Sequence, residues 1–199
     1  LQIPMNLHHH YFHDEGKVKT RRGIMAGVRL EEWEQAVVRP HEGTAAVFKI
    51  DRLNLLRSCH ASFSPILSLY EDPEGNIAPI LATVEKNQPL LRVAGPDDEG
   101  HTLWIITDKE SLQQLTEALA HHPLYIADGH HRYETALAYK KERHATSTQS
   151  DEEAVFDFVM MTLVEFSDPG LVVLPFHRLI RGVAEPAVQN LKERLLDYF

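Results

Sequence analysis

The alternation of apolar and polar residues along this 199-residue chain changes period repeatedly, and each change marks an element. Residues 3–13 mix apolar side chains with histidines in an extended pattern, and Asp14, Glu15 and Gly16 form an acidic turn that closes a hairpin. Ile24, Ala26, Val28 and Leu30 then alternate with Met25, Gly27 and Arg29, which predicts a strand with one buried face. Glu31 to Gln35 suits a helical turn, and residues 37–50 read as two short extended pieces broken by Pro40 and Gly43. Asp51 is placed to cap a helix through His60, with Leu55, Leu56 and Cys59 inward. A strand over 66–70 and a turn over 72–75 follow. In 77–85 the residues Ile77, Ile80, Leu81 and Val84 make a helical stripe, with Pro79 in the first turn, where proline is tolerated.

Strands are expected over 90–93 and 103–107 around a polar loop at 95–100. Thr107 and Glu110 have capping-box spacing and open a helix with Leu112, Leu115 and Leu119 on one face. Residues 124–127 are a short apolar strand, Asp128 and Gly129 turn the chain, and from Tyr133 the spacing is helical. Tyr133, Ala136, Leu137 and the stem of Lys140 share its buried face. A polar loop at 145–150, a short helix within 152–158 and a fully apolar strand at 159–164 come next. Asp168, Pro169 and Gly170 turn into another buried strand at 171–174, and Glu185-Pro186 opens a last helix. That helix runs to Phe199 with no C-cap signal, as if the chain were a fragment cut inside an element. The whole predicts an α/β or α+β fold, a mixed sheet with helices packed on it, over residues 1–182, with the start of a helical segment at 183–199. No Gly-x-Gly-x-x-Gly loop supports a dinucleotide fold.

Charge and histidine content change this picture more than hydrophobicity does. No apolar run approaches the roughly 20 residues that span a bilayer, and no leader pattern is present, so no membrane partner is expected. With 29 acidic against 20 basic residues the chain lacks a basic footprint, so no nucleic acid partner is expected either. The basic cluster Lys17, Lys19, Arg21 and Arg22 reads as a solvated turn. A single cysteine, Cys59, excludes an intramolecular disulfide and fits a reducing cytoplasm; its apolar surroundings suit a buried structural residue better than a nucleophile. His8, His9, His10 and His13 crowd near the start, where native strand is a better reading than a leftover tag. No His-Glu-x-x-His pair and no cysteine-rich pattern points to zinc.

Three polar clusters interrupt apolar runs. In the first, Asp128 can hold a hydrated Mg²⁺, His130 and His131 can move protons, and Arg132 can grip phosphate; a strand feeding a helix at Gly129 adds unpaired N–H groups and the helix dipole. The structural alternative makes Asp128 a cap paired with Arg132 four residues on. In the second, Glu42 could be a general base or metal ligand, with His41 beside it and Thr44 as an oxygen donor. In the third, His177 and Arg178 follow an apolar strand end, with a surface loop as the alternative.

The segments PHEGTAAVFKIDRLNLLR, SPILSLYEDPEG, PLYIADGHHRYETALAY and DPGLVVLPFHRLI together resemble the bacterial and archaeal domain-of-unknown-function family 1015, in the family's order from about Arg22 to Arg181. Gly43 stands where that family usually has arginine. The Asp-Gly-His-His-Arg turn is in addition similar to the Asp-Gly-His-Thr-Arg turn of free serine kinases, and more distantly to the phosphate turns of ParB nucleotide-binding proteins and sulfiredoxins. That resemblance implies a ParB/sulfiredoxin-like element here, with Gly129, His130 and Arg132 on phosphates and His131 replacing the kinase threonine.

These readings converge on a cytoplasmic, nucleotide-dependent phosphotransferase acting on a small hydroxyl-bearing metabolite, with Mg²⁺ and ATP or ADP. Glu42, Asp128 and His130 are the expected catalytic residues, Asp128 the metal ligand, and Gly129, His130, His131 and Arg132 the phosphate-binding set. His41, Thr44, His177 and Arg178 are further pocket candidates. The alternatives are a nucleotide-binding switch or interaction module without transfer, and a metal-dependent hydrolase built from His41, Glu42, Asp128 and His130. Oligomeric state stays open.

Overall fold

Two long strands, β1 (Met5–Asp14) and β2 (Lys17–Arg29), form the hairpin expected at the start of the chain. Glu15 and Gly16 turn it, both at positive φ (48° and 75°), which matches the twist of the flanking strands. The computed structural model describes residues 4–43, 46–146, 154–175 and, with gaps, parts of 179–196. Six further strands are β3 (Val38–Arg39), β4 (Ile66–Tyr70), β5 (Leu91–Ala94), β6 (Gly100–Ile106), β7 (Leu124–Asp128) and β8 (Phe158–Glu165). They complete one eight-stranded mixed sheet in the order β3-β7-β4-β8-β2-β1-β6-β5. β4 runs parallel to β8 and β3 parallel to β7; every other pairing is antiparallel. The principal helices are α1 (Ala46–Cys59), α2 (Ile77–Val84), α3 (Lys109–Ala120) and α4 (His130–Thr146).

The period-two residues of the sheet supply one side of the core. Leu7, Ile24, Ile66, Ile126, Met161, Leu163 and Trp104 meet Ile77, Leu81 and Val84 of α2, Leu115 of α3 and Tyr133, Ala136 and Leu137 of α4 in a single buried cluster. α4 is tied to the end of β2 by polar bonds as well. The Tyr133 hydroxyl accepts from the Glu31 N–H at 3.0 Å and donates to the Glu31 carbonyl at 2.8 Å, and Lys140 donates to the Leu30 carbonyl at 2.9 Å. Tyr133 is fully buried, so these bonds fix where the helix carrying Asp-Gly-His-His-Arg begins.

Several local expectations change. The second extended piece of 37–50 is instead the start of α1, so Asp51 lies inside the helix rather than at its cap. α1 packs against α4, and Arg57 donates three hydrogen bonds to Glu142 at 2.7–3.1 Å; tertiary contact overrides the β-branched propensity there. Leu55 and Cys59 are exposed rather than inward. Asp108, not Thr107, caps α3, its carboxylate accepting from the Ser111 N–H at 2.7 Å; that bond lowers its pKa. Lys17 to Arg22 lie within β2, not in a turn. Residues 171–174 form no strand, and Val173 and Leu174 are exposed. The helix of 152–158 is reduced to one turn at Val155–Asp157, residues 151–153 lying outside the described residues.

The crowded histidines are native strand. His8, His9 and His10 pair with Gly23, Arg22 and Arg21 on one side and with Leu103, Thr102 and His101 on the other. Burial, and then the neighbouring His101, His10, Arg21 and His9, push His8 from 6.5 to about 4; burial is also the first cause lowering His9 and His10. The unfolded chain therefore binds more protons than the folded one below pH 6.5, and stability rises with pH through that range. The melting temperature is expected to be level above about pH 7 and to fall as pH drops from 6.5 towards 4. His8→Gln should flatten part of that slope. Melts across a pH series check it; a wild-type midpoint insensitive to acid over this range would contradict the burial of these rings.

Candidate functional site

β7 ends at Asp128 and α4 starts at His130, so Gly129 must reverse the chain in one residue. It does so at φ +105°, which side-chain-bearing residues rarely adopt. The Arg132 guanidinium lies over this glycine, 2.9 Å from where a Cβ would stand. Arg132 donates to the Asp128 carboxylate and, at 2.6 Å, to the Pro65 carbonyl ahead of β4. The i,i+4 pair therefore braces the turn against the neighbouring strand.

His130 is buried where residues 41–42 cross the turn. Its Nε2 accepts from the His41 backbone N–H at 3.2 Å, which leaves the ring proton on Nδ1. That proton faces the half-exposed Glu42 carboxylate at 3.1 Å, close in distance but too poorly aligned to count as a hydrogen bond. Burial, then the adjacent His41, lowers the His130 pKa, opposed by Glu42 and Asp128, so the ring is neutral at pH 7. His41 stands edge-on to it, with centroids 4.4 Å apart, and donates through Nδ1 to the Ile126 carbonyl at 2.7 Å. The His41 Nε2 thus keeps a lone pair, in the arrangement that orients a basic or ligating imidazole.

A cleft of about 1050 Å³ opens over this turn. Glu42, Asp128, Gly129, His130, His131 and Arg132 line its polar part. Arg52 and Arg143 add positive charge, and Leu55, Phe63, Tyr139 and Phe156 form apolar walls. The structure thus brings the first cluster and Glu42 to one cavity, with His41 in contact through His130. Thr44, His177 and Arg178 lie outside the described residues. Sequence reading missed Arg143 and the Ile126 and Pro65 carbonyls. Arg143 had a detectable signal, since it follows Ala136 and Tyr139 on the helix at spacings of seven and four. The carbonyls had none.

Fold and cleft together define a mixed α/β protein whose polar site is built on a strand–turn–helix unit. The chain belongs to the family described as "Protein of unknown function (DUF1015)", whose model matches residues 5–199. Searches of the curated proteins and of the solved structures give no match. Among the described residues no helix is long and apolar enough to cross a membrane.

Proposed function

We propose that the cleft binds a nucleotide by its phosphates and that the protein transfers a phosphoryl group to a small hydroxyl-bearing metabolite. The observation that carries this reading is the first turn of the 17-residue α4 opening, at Gly129–His131, onto a cavity large enough for a nucleotide. Arg52 and Arg143, the latter over the Tyr139 and Phe156 rings, supply cationic partners for phosphate, while the aromatic and aliphatic walls suit a base. Arg132 is committed to Asp128 and Pro65, so its part is to hold the turn in shape. The exposed Asp128 carboxylate organises hydrated Mg²⁺, and Glu42, or the His41 Nε2, accepts the hydroxyl proton. The turn's likeness to those of free serine kinases and of the ParB/sulfiredoxin group points the same way.

The metal-hydrolase reading is weaker on geometry. One ligand atom each from His41, Glu42 and His130 lies within 4.8 Å of the others, but for His130 to ligate, its ring proton must move to Nε2, which leaves the His41 backbone N–H unmet beside a buried ring. Calorimetric titration with MgATP and MgADP tests the proposal. Arg52→Ala should weaken binding about tenfold, the loss of one charge-assisted contact. Glu42→Gln should keep binding; loss of transfer across a panel of hydroxyl metabolites assigns the proton acceptor to Glu42, and retained transfer assigns it to the His41 Nε2. No binding by the wild type sinks the reading; binding without turnover by the wild type replaces it with the nucleotide-binding switch.

A further inference from the structure

On β1 and β6, at least four strands away in the sheet order from the β7 strand that carries the cleft's turn, stands a second cluster. His10 and His101 face each other directly across β1 and β6, and their rings stack 4.6 Å apart at 13°. His8, two residues along the same strand face, lies beside His101 with Nε2 and Nδ1 at 3.0 Å. Glu99 enters from the tight 95–99 loop, where the Gly95 N–H donates to the Glu99 carbonyl at 2.7 Å, and its carboxylate reaches 3.6 Å from the His10 Nε2. That Nε2 is buried and without a hydrogen-bond partner, a costly state for an imidazole nitrogen.

We propose that His10, His101 and Glu99 form a binding site for a divalent transition-metal cation of the zinc class, with His8 orienting His101. One ligand atom from each of the three already lies within 4.8 Å of the other two. A tetrahedral ion with bonds of about 2.0–2.2 Å needs them roughly 3.3 Å apart, a closure that side-chain rotation supplies. Two imidazoles and a carboxylate leave the fourth position for water, and nitrogen donors select zinc, copper or nickel over magnesium or calcium. When His101 donates its Nδ1 proton to the His8 Nε2, its own Nε2 keeps the lone pair that binds metal.

One residue opposes the ion. Arg21 approaches the His10 Nδ1 at 3.2 Å, and arginine can only donate, so in the metal-free state the His10 proton sits on Nε2. Metal binding moves that proton to Nδ1, with none gained or lost, and releases Arg21. Arg21 therefore acts as an internal competitor through both its hydrogen bond and its charge.

Calorimetric titration of the intact protein with Zn²⁺ tests this. One equivalent should bind to the wild type, and that equivalent should disappear in His10→Ala and in His101→Ala. Glu99→Gln, a change in an exposed loop, should weaken it, and His8→Phe should weaken it about 10–100-fold. Arg21→Gln should instead tighten it about fivefold or more. Thermal melts in chelator show which variants stay folded, and Glu99→Gln and Arg21→Gln carry the test if a histidine variant does not. No zinc bound by the wild type, the same equivalent retained in both alanine variants, or weaker binding in Arg21→Gln each overturns the site.

Discussion

Gly170→Ala is expected to destabilise the protein by about 3 kcal/mol or more, although it adds one methyl group to a loop. A Cβ at this position would stand 2.3 Å from the Thr20 carbonyl oxygen and 2.4 Å from the Arg21 nitrogen. Both are backbone atoms of β2, which is held between β1 and β8, so neither can retreat as a flexible side chain would. The alternative is for the loop to lift away, and that strands Asp168. This buried carboxylate accepts from the Gly170 N–H at 2.9 Å and from the Arg22 N–H at 3.4 Å, with the Arg22 guanidinium at 3.6 Å. Lifting the loop exposes a charge pair that was assembled on the sheet and leaves its partners unmet. Urea midpoints with an unchanged slope measure the loss. Gly43→Ala serves as the reference, since a Cβ there meets nothing within 4 Å. If the two variants lie within about 0.5 kcal/mol of each other, the close approach of 168–171 to β2 is not part of the folded state.

That glycine also shows where sequence reading stops. Asp168-Pro169-Gly170 is legible as a turn, because those residues set backbone angles locally. That Gly170 touches Thr20, 150 positions earlier, leaves no local trace. The hairpin, the buried faces of β2, β4 and β8, and the stripes of α2 and α3 were legible for the same reason: their periodicity is imposed by a single sheet or helix face. The body of α1 is legible, but its start at 46–50 reads as extended and Leu55 and Cys59 read as inward, because its partner is another helix, α4, whose position leaves no local trace. At the turn, the Asp128–Arg132 pair could be anticipated from i,i+4 spacing. The burial of His130 could not, because what covers it comes from residues 41–42.

Those two residues lead to the second large effect. His130→Ala is expected to cost about 2–4 kcal/mol, whereas Glu42→Gln should cost less than about 1 kcal/mol. His130 is 2% exposed, and truncation leaves both a void and an unmet His41 N–H. Glu42 is half-exposed, and its contact with the ring is badly aligned, so solvent replaces most of what the amide loses. Denaturant midpoints give the difference, and long-range proton–nitrogen NMR of the imidazole gives its cause: a neutral ring protonated at Nδ1. A ring protonated at Nε2 would mean that the His41 N–H is not its donor. Equal losses in the two variants would mean that the carboxylate, not the backbone, pins residues 41–42 to the start of α4. In the first case the backbone at residue 41 is not anchored on the His130 ring, and only the Ile126 carbonyl orients the His41 imidazole. In the second, Glu42 is a structural anchor, and the proton acceptor of the proposed transfer has to be His41.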